Sequence, residues 1–224
     1  MTDEGRVEGL VHWGAAGQPH PGESESGDLH LVRPRAGGLL LAVVDALGHG
    51  SEAAACARAA LAEVERHVDE AITDIVRACH AALGGMRGAV LSVAVFRSAA
   101  ATMTWLGVGN VEGTLVRSGA AGRLDRTTLI AQRGIVGTTL PALVPATVQV
   151  VPGDVLLFST DGIRSDFLDG VFRPFSTDGV RDDPLVGRLR AGPPAGLAGA
   201  IVQQSAKGTD DALVLAARYL GPPS

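Results

Sequence analysis

Residues 39–50, LLLAVVDALGHG, constrain the fold more than any other stretch of the chain. An unbroken apolar run, Leu39 to Val44, meets an acidic residue, Asp45, and then the turn Gly48-His49-Gly50. An apolar run this short, bounded by turn residues, predicts a strand buried on both faces. Its last residue is then a carboxylate held at the rim of a core. The same design recurs in residues 155–162, VLLFSTDG, where a second apolar run ends in Asp161.

A chain of 224 residues with 46% hydrophobic and 19% charged content is long enough for a sizeable core and is globular in composition. Its net charge of −5 argues against nucleic acid as the main partner, since phosphate neutralisation needs a basic surface. The apolar runs are too short to span a bilayer, and the polar start MTDEGRVEG has no signal-peptide core. Cys56 and Cys79 fall among alanines on helical patterns and read as buried thiols of a reducing compartment. A cytoplasmic protein is the expectation.

Taken in order, residues 1–9 are expected to be flexible, and 10–27 to hold a short strand and then a loop. Leu29–Arg33 alternates as a strand directly after Asp28, and the turn 35–38 predicts an antiparallel hairpin with 39–44. Ser51 reads as the N-cap of a helix running to about His67. Ile72, Ile75, Val76, Cys79 and Leu83 keep the spacing of a second helix, stopped by Gly84-Gly85. Strands are expected over 89–96, 101–108, 111–116, 127–132 and 147–151, with Gly109-Asn110 as a tight hairpin turn. After the 155–160 strand comes an irregular excursion, 163–193, holding one short helix. A helix over 195–205 and a last strand over 212–219 close the chain. No repeat or dividing linker interrupts it, so a single domain over 1–224 is expected. Strands, helices, strands, helix, strand is the order of an α+β sandwich with helices covering antiparallel sheets.

Four acids hold matching local positions: Asp45 and Asp161 end apolar runs, while Asp28 and Asp210 precede strands. The end of one antiparallel strand and the start of its neighbour share an edge, so all four can meet at one rim. Unpaired, such a cluster repels itself, and a divalent cation relieves it. All-oxygen ligation selects a hard ion, Mg²⁺ or Mn²⁺, whose bound water is a hydrolytic nucleophile. Each acid alone also fits an ordinary turn former.

The segments DALGHGSEAA (45–54), STDGI (159–163) and TDDALVLAAR (209–218) resemble signature segments of the metal-dependent serine/threonine protein phosphatases (PPM type). The likeness is closest to their bacterial SpoIIE-type branch and, within it, to the RsbX-like stressosome phosphatases. Supporting residues run in order from Trp13-Gly14 through Ser26-Gly27-Asp28, Arg87-Gly88-Ala89 and 107–111 to Arg133-Gly134-Ile135, so the resemblance spans about 12–219. It implies an α-β-β-α sandwich with two Mn²⁺ or Mg²⁺ ions at one edge of the sheets. By position, Asp45 resembles the bridging carboxylate, Ala46 the donor of a backbone carbonyl, and Asp161 and Asp210 the remaining ligands. Asp28 matches an early acid that serves as a ligand or supports one. Ala46 replaces the commoner glycine, which a carbonyl ligand tolerates. The implied activity is hydrolysis of phosphoserine or phosphothreonine on STAS-domain regulators, anti-sigma antagonists or stressosome proteins, in a stress or sigma-factor pathway.

His49, in the GHG turn, is a candidate proton donor or partner of a metal-bound water, or else a solvated turn residue. Arg87 offers a guanidinium fork suited to substrate phosphate, or else merely begins a strand. Asp211 reads as support for its neighbour or as a strand-start residue. Two other function classes remain: a degenerate phosphatase that binds a phosphorylated regulator without turnover, and a two-metal phosphodiesterase, which the acidic charge disfavours. The oligomeric state is left open.

Overall fold

The computed structural model describes residues 2–7, 9–119, 124–172 and 184–222. Among the described residues, eleven strands form two sheets, every strand pair antiparallel, with helices on both outer faces. The first sheet runs β1 (Thr2–Val7), β2 (Val11–Gln18), β11 (Ala212–Tyr219), β10 (Val155–Ser159), β7 (Glu112–Ser118), β8 (Leu124–Leu129). The second runs β3 (Asp28–Arg35), β4 (Gly38–Ala46), β5 (Ala89–Arg97), β6 (Thr102–Val108), β9 (Ala146–Gln149).

Strand alternation sorts the apolar residues into three layers. On β4, Leu39, Leu41 and Val43 face the other sheet, where they meet Leu156, Phe158, Leu213 and Leu215. Leu40, Ala42 and Val44 face outward and pack against α1 (Gly50–Arg66) and α2 (Ile72–Ala82) through Ala53, Ala57, Ala60, Val64, Ile75 and Cys79. On the far side, Val155, Leu157, Val214 and Ala216 pack under α5 (Pro194–Ser205). The small helix–sheet residues set how closely these layers approach. A Cβ on Gly14 of β2 would lie 2.7 Å from the Ala195 Cβ, so α5 seats directly on that backbone.

Several expectations need correction. Residues 2–7, expected to be flexible, form β1 and pair with β2 from Thr2↔Ala16 to Val7↔Val11. Ser51 is not the N-cap of α1; His49 takes that place, without a side-chain capping bond. Gly109-Asn110 is not a hairpin turn, because β6 and β7 lie in different sheets and the chain crosses between them there. Both strands have an apolar face to bury in the inter-sheet core, and opposite walls of that core satisfy this as well as a shared one. Among its described residues the excursion holds two helices, α3 (Asp169–Phe172) and α4 (Pro184–Ala191), and Phe175 within it falls outside the described residues. The α-β-β-α layering and the β3–β4 hairpin are as expected. No helix among the described residues is long and apolar enough to cross a membrane.

Candidate functional site

Strand register decides where the acids stand. Asp45 continues the inward series Leu39, Leu41, Val43, and so emerges between the sheets just beyond the core. Asp28 is its direct partner across the β3–β4 ladder, and directly opposed residues project to the same face. In the other sheet the Thr160 N–H donates to the Leu213 carbonyl and Thr160 Oγ1 accepts the Leu213 N–H, so Asp161 and Asp210 flank adjacent strand ends. A Cβ at Gly162 would run into the Asp211 carbonyl, which explains a glycine after Asp161.

Asp45, Asp161 and Asp210 line one cavity of about 410 Å³ together with His20, Leu47, Gly48, His49, Val90, Asn110 and Thr209. Asp28, buried, borders a separate cavity of about 350 Å³ on the β2–β3 flank and stands beside Asp45 of the first. One of its oxygens, Oδ2, is buried without a hydrogen-bond partner. Burial, followed by the Asp45 charge, pushes the Asp28 carboxyl far above the usual carboxylate range. Burial and then Asp161, Asp210 and Asp211 push Asp45 up as well.

Supporting contacts fix these groups. Asn110 Nδ2 donates to Asp161 Oδ2 at 2.9 Å, so the inter-sheet crossing supplies a clamp. Asp211 is buried, and its two oxygens accept the backbone N–H groups of His20 (2.6 Å) and Gly27 (2.8 Å). It therefore ties the loop 19–27 to the start of β11. The Gly27 carbonyl in turn accepts the Ala46 N–H at 3.1 Å, which orients the backbone beside Asp45. His49 Nδ1 lies 2.8 Å from Glu23 Oε1, and its ring stacks on His20 with centroids 4.1 Å apart.

Arg87 stands outside the cavity lining, its guanidinium held by Glu52 in the first turn of α1 (Nε–Oε2 2.9 Å). The sequence assigned no site role to His20, Glu23 or Asn110: His20 has no ligand spacing, and Glu23 and Asn110 only belong to segments that carry the family resemblance. The Pro21-Gly22 pair was a legible turn signal for the first two: Glu23 N–H donates to the His20 carbonyl at 2.9 Å, with Gly22 at φ 93°.

An all-oxygen donor set with an orphaned, buried carboxylate oxygen matches the chemistry of a hard divalent cation. The carboxylates line the cavity without a finished cage: among the described residues, no three His, Cys, Asp or Glu side chains are grouped closely enough to hold an ion.

A family model described as Stage II sporulation protein E (SpoIIE) matches residues 35–220. A solved structure from work on the bacterial stressosome, "a modular system that has been adapted to control secondary messenger signaling", is 29% identical. It covers 93% of this chain and 99% of its own at a TM-score of 0.76. RsbX in complex with magnesium is 20% identical over 98% of this chain and 100% of its own, TM-score 0.77. The catalytic domain of the serine threonine protein phosphatase PstP, in complex with 2 manganese ions, is 15% identical over 94% and 99%, TM-score 0.65. RsbX and PstP share the fold. No curated protein matches the sequence.

Proposed function

This chain belongs to the SpoIIE family, and we propose that it is a protein serine/threonine phosphatase dependent on Mn²⁺ or Mg²⁺. The observation that carries this reading is the convergence of Asp45, Asp161 and Asp210, from three separate strand ends, on one cavity. Asp45, the Ala46 carbonyl, Asp161 and Asp210 would hold two ions, with Asp28 supporting Asp45 from the adjacent strand. Ions bound there supply a water of lowered pKa and neutralise phosphoryl charge. The chain's own part is positional. Asn110 holds one oxygen of Asp161, and Asp211 holds the loop that carries His20 and Glu23. His49, with Nδ1 against Glu23, stands at the cavity wall.

The substrates on this reading are phosphoserine or phosphothreonine residues of STAS-domain regulators in a cytoplasmic stress or sigma-factor pathway. Similarity to a stressosome structure along nearly the whole of both chains supports that assignment. Residues 1–224 act as one catalytic domain.

Hydrolysis of p-nitrophenyl phosphate should require added Mn²⁺ or Mg²⁺ and fall at least about 100-fold in Asp45→Asn and Asp161→Asn, as expected when the activated nucleophile is lost. Undiminished turnover in excess chelator would overturn the reading. Metal uptake and tight binding of a phosphorylated STAS protein without any turnover would mark the chain as a binding module instead.

A further inference from the structure

A phosphoryl group entering the cavity meets a lining with no lysine or arginine. Arg87, whose Nη1 abuts Gly48 of that lining, is engaged by Glu52 through Nε and Nη2. The cavity's other lining side chains are carboxylates, apolar groups, Thr209, and Asn110, one of whose two amide N–H groups donates to Asp161. The ring N–H donors available to phosphoryl oxygens belong to His20 and His49.

These two rings are built as a unit. The turn His20-Pro21-Gly22-Glu23 folds Glu23 back over His20, closed by the Glu23 N–H bond to the His20 carbonyl. Glu23 then holds His49 Nδ1 at 2.8 Å, which leaves Nε2 on the opposite edge of that ring. His20 is fixed from behind by Asp211, through its backbone N–H, and from the side by stacking on His49, 12° from parallel. Its Nδ1 is buried and has no hydrogen-bond partner. Near-parallel rings 4.1 Å apart keep their nitrogens in two separate planes, so one ion cannot lie in the plane of both rings. That geometry suits two oxygens of one tetrahedral anion better than a single metal ion.

Resting on the phosphatase reading above, we propose that the stacked His20–His49 pair, oriented by Glu23, binds the phosphoryl oxygens of the substrate. The pair fills the role that a guanidinium fork would serve. Glu23 is a positioning residue that acts through His49.

Titration calorimetry with inorganic phosphate, on the Mn²⁺-supplemented protein, tests binding without turnover. His20→Gln and His49→Gln should each weaken phosphate at least about tenfold, the scale of one charge-assisted hydrogen bond. Manganese affinity should stay unchanged. In p-nitrophenyl phosphate kinetics the same variants should raise KM and the phosphate inhibition constant together, with Glu23→Gln giving a smaller shift in the same direction. Wild-type phosphate affinity in both histidine variants overturns the proposal, as does a fall in kcat at constant KM, which would make the pair a proton donor. Phosphate binding that depends on the pair in a protein with no turnover at all would refute the phosphatase reading and leave the pair's assignment standing.

Discussion

Asp28 is the residue whose environment is least favourable to its own charge. It is 5% exposed, opposes Asp45 across the ladder, and carries an oxygen with no partner. A folded chain tolerates one such group when function needs it, at a cost of about 1–3 kcal/mol for an unsatisfied buried polar atom. Asp28→Asn is therefore expected to raise the melting temperature in excess chelator, because an amide removes the repulsion and adds a donor. The same substitution should shrink the further rise in melting temperature that Mn²⁺ produces. Differential scanning calorimetry with and without metal checks both; a variant that melts lower in chelator would show that Asp28 stabilises the fold. By contrast, Cys79 is chemically quiet, since burial pushes its thiol up to about 12, and Cys56 is raised by the same cause.

At the scale of elements, a buried cation ties α4, in the excursion after β10, to β11. Arg218, on β11, donates to the carbonyls of Leu189 (2.9 Å), Arg188 (3.0 Å), Arg190 (3.2 Å) and Gly192 (3.2 Å). These include the last carbonyls of α4, which have no partner within the helix itself. Charge without a facing carboxylate is tolerated because the guanidinium spreads it over several peptide dipoles. Arg218→Leu removes every donor at once, at about 1–3 kcal/mol for each carbonyl left dry. Limited proteolysis should then cut within residues 184–192 at least about tenfold faster, while β10 and β11 stay protected. Equal cutting rates would mean that Leu185 and Leu189, both buried against the sheet, hold α4 without help.

For the whole molecule, the open flank where the two sheets meet is closed by contacts between β1, β2 and β3. His30 of β3 packs against Trp13 of β2, ring centroids 5.8 Å apart, and lies 3.4 Å from the Asp3 carboxylate of β1. Burial lowers its pKa below the ordinary 6.5 and outweighs the opposing pull of Asp3. The folded state thus favours neutral His30, and the unfolded chain binds its proton more readily. That contribution to stability is complete above pH 6.5 and is lost as pH falls through 6.5 toward the folded-state value. Urea midpoints should drop more steeply from pH 7 to pH 5 for the wild type than for His30→Gln. Parallel pH profiles would rule His30 out as the cause.

Much of this was legible in the residues alone. The apolar runs ending in Asp45 and Asp161 specify buried strands with acidic rims, because local hydrophobic pattern reports burial directly. The alanine-rich segment after Gly50 and the spaced apolar positions from Ile72 specify α1 and α2 in the same way. Local pattern carries no information about which sheet a strand joins. The two residues Gly109-Asn110 fit a hairpin or a crossing equally well, and only pairing with β5 and β10 separates β6 from β7. That crossing puts Asn110 on Asp161. The polar N-terminus likewise becomes a strand only because β2 offers an unpaired edge. His20 and Glu23 belong to a loop without periodicity, placed by Asp211 from almost the other end of the chain. The sequence by itself determined the layers and the acids at their rims. Tertiary structure decided how those acids, the histidine pair and their clamps meet, because that depends on long-range hydrogen bonds between segments with no local preference for one another.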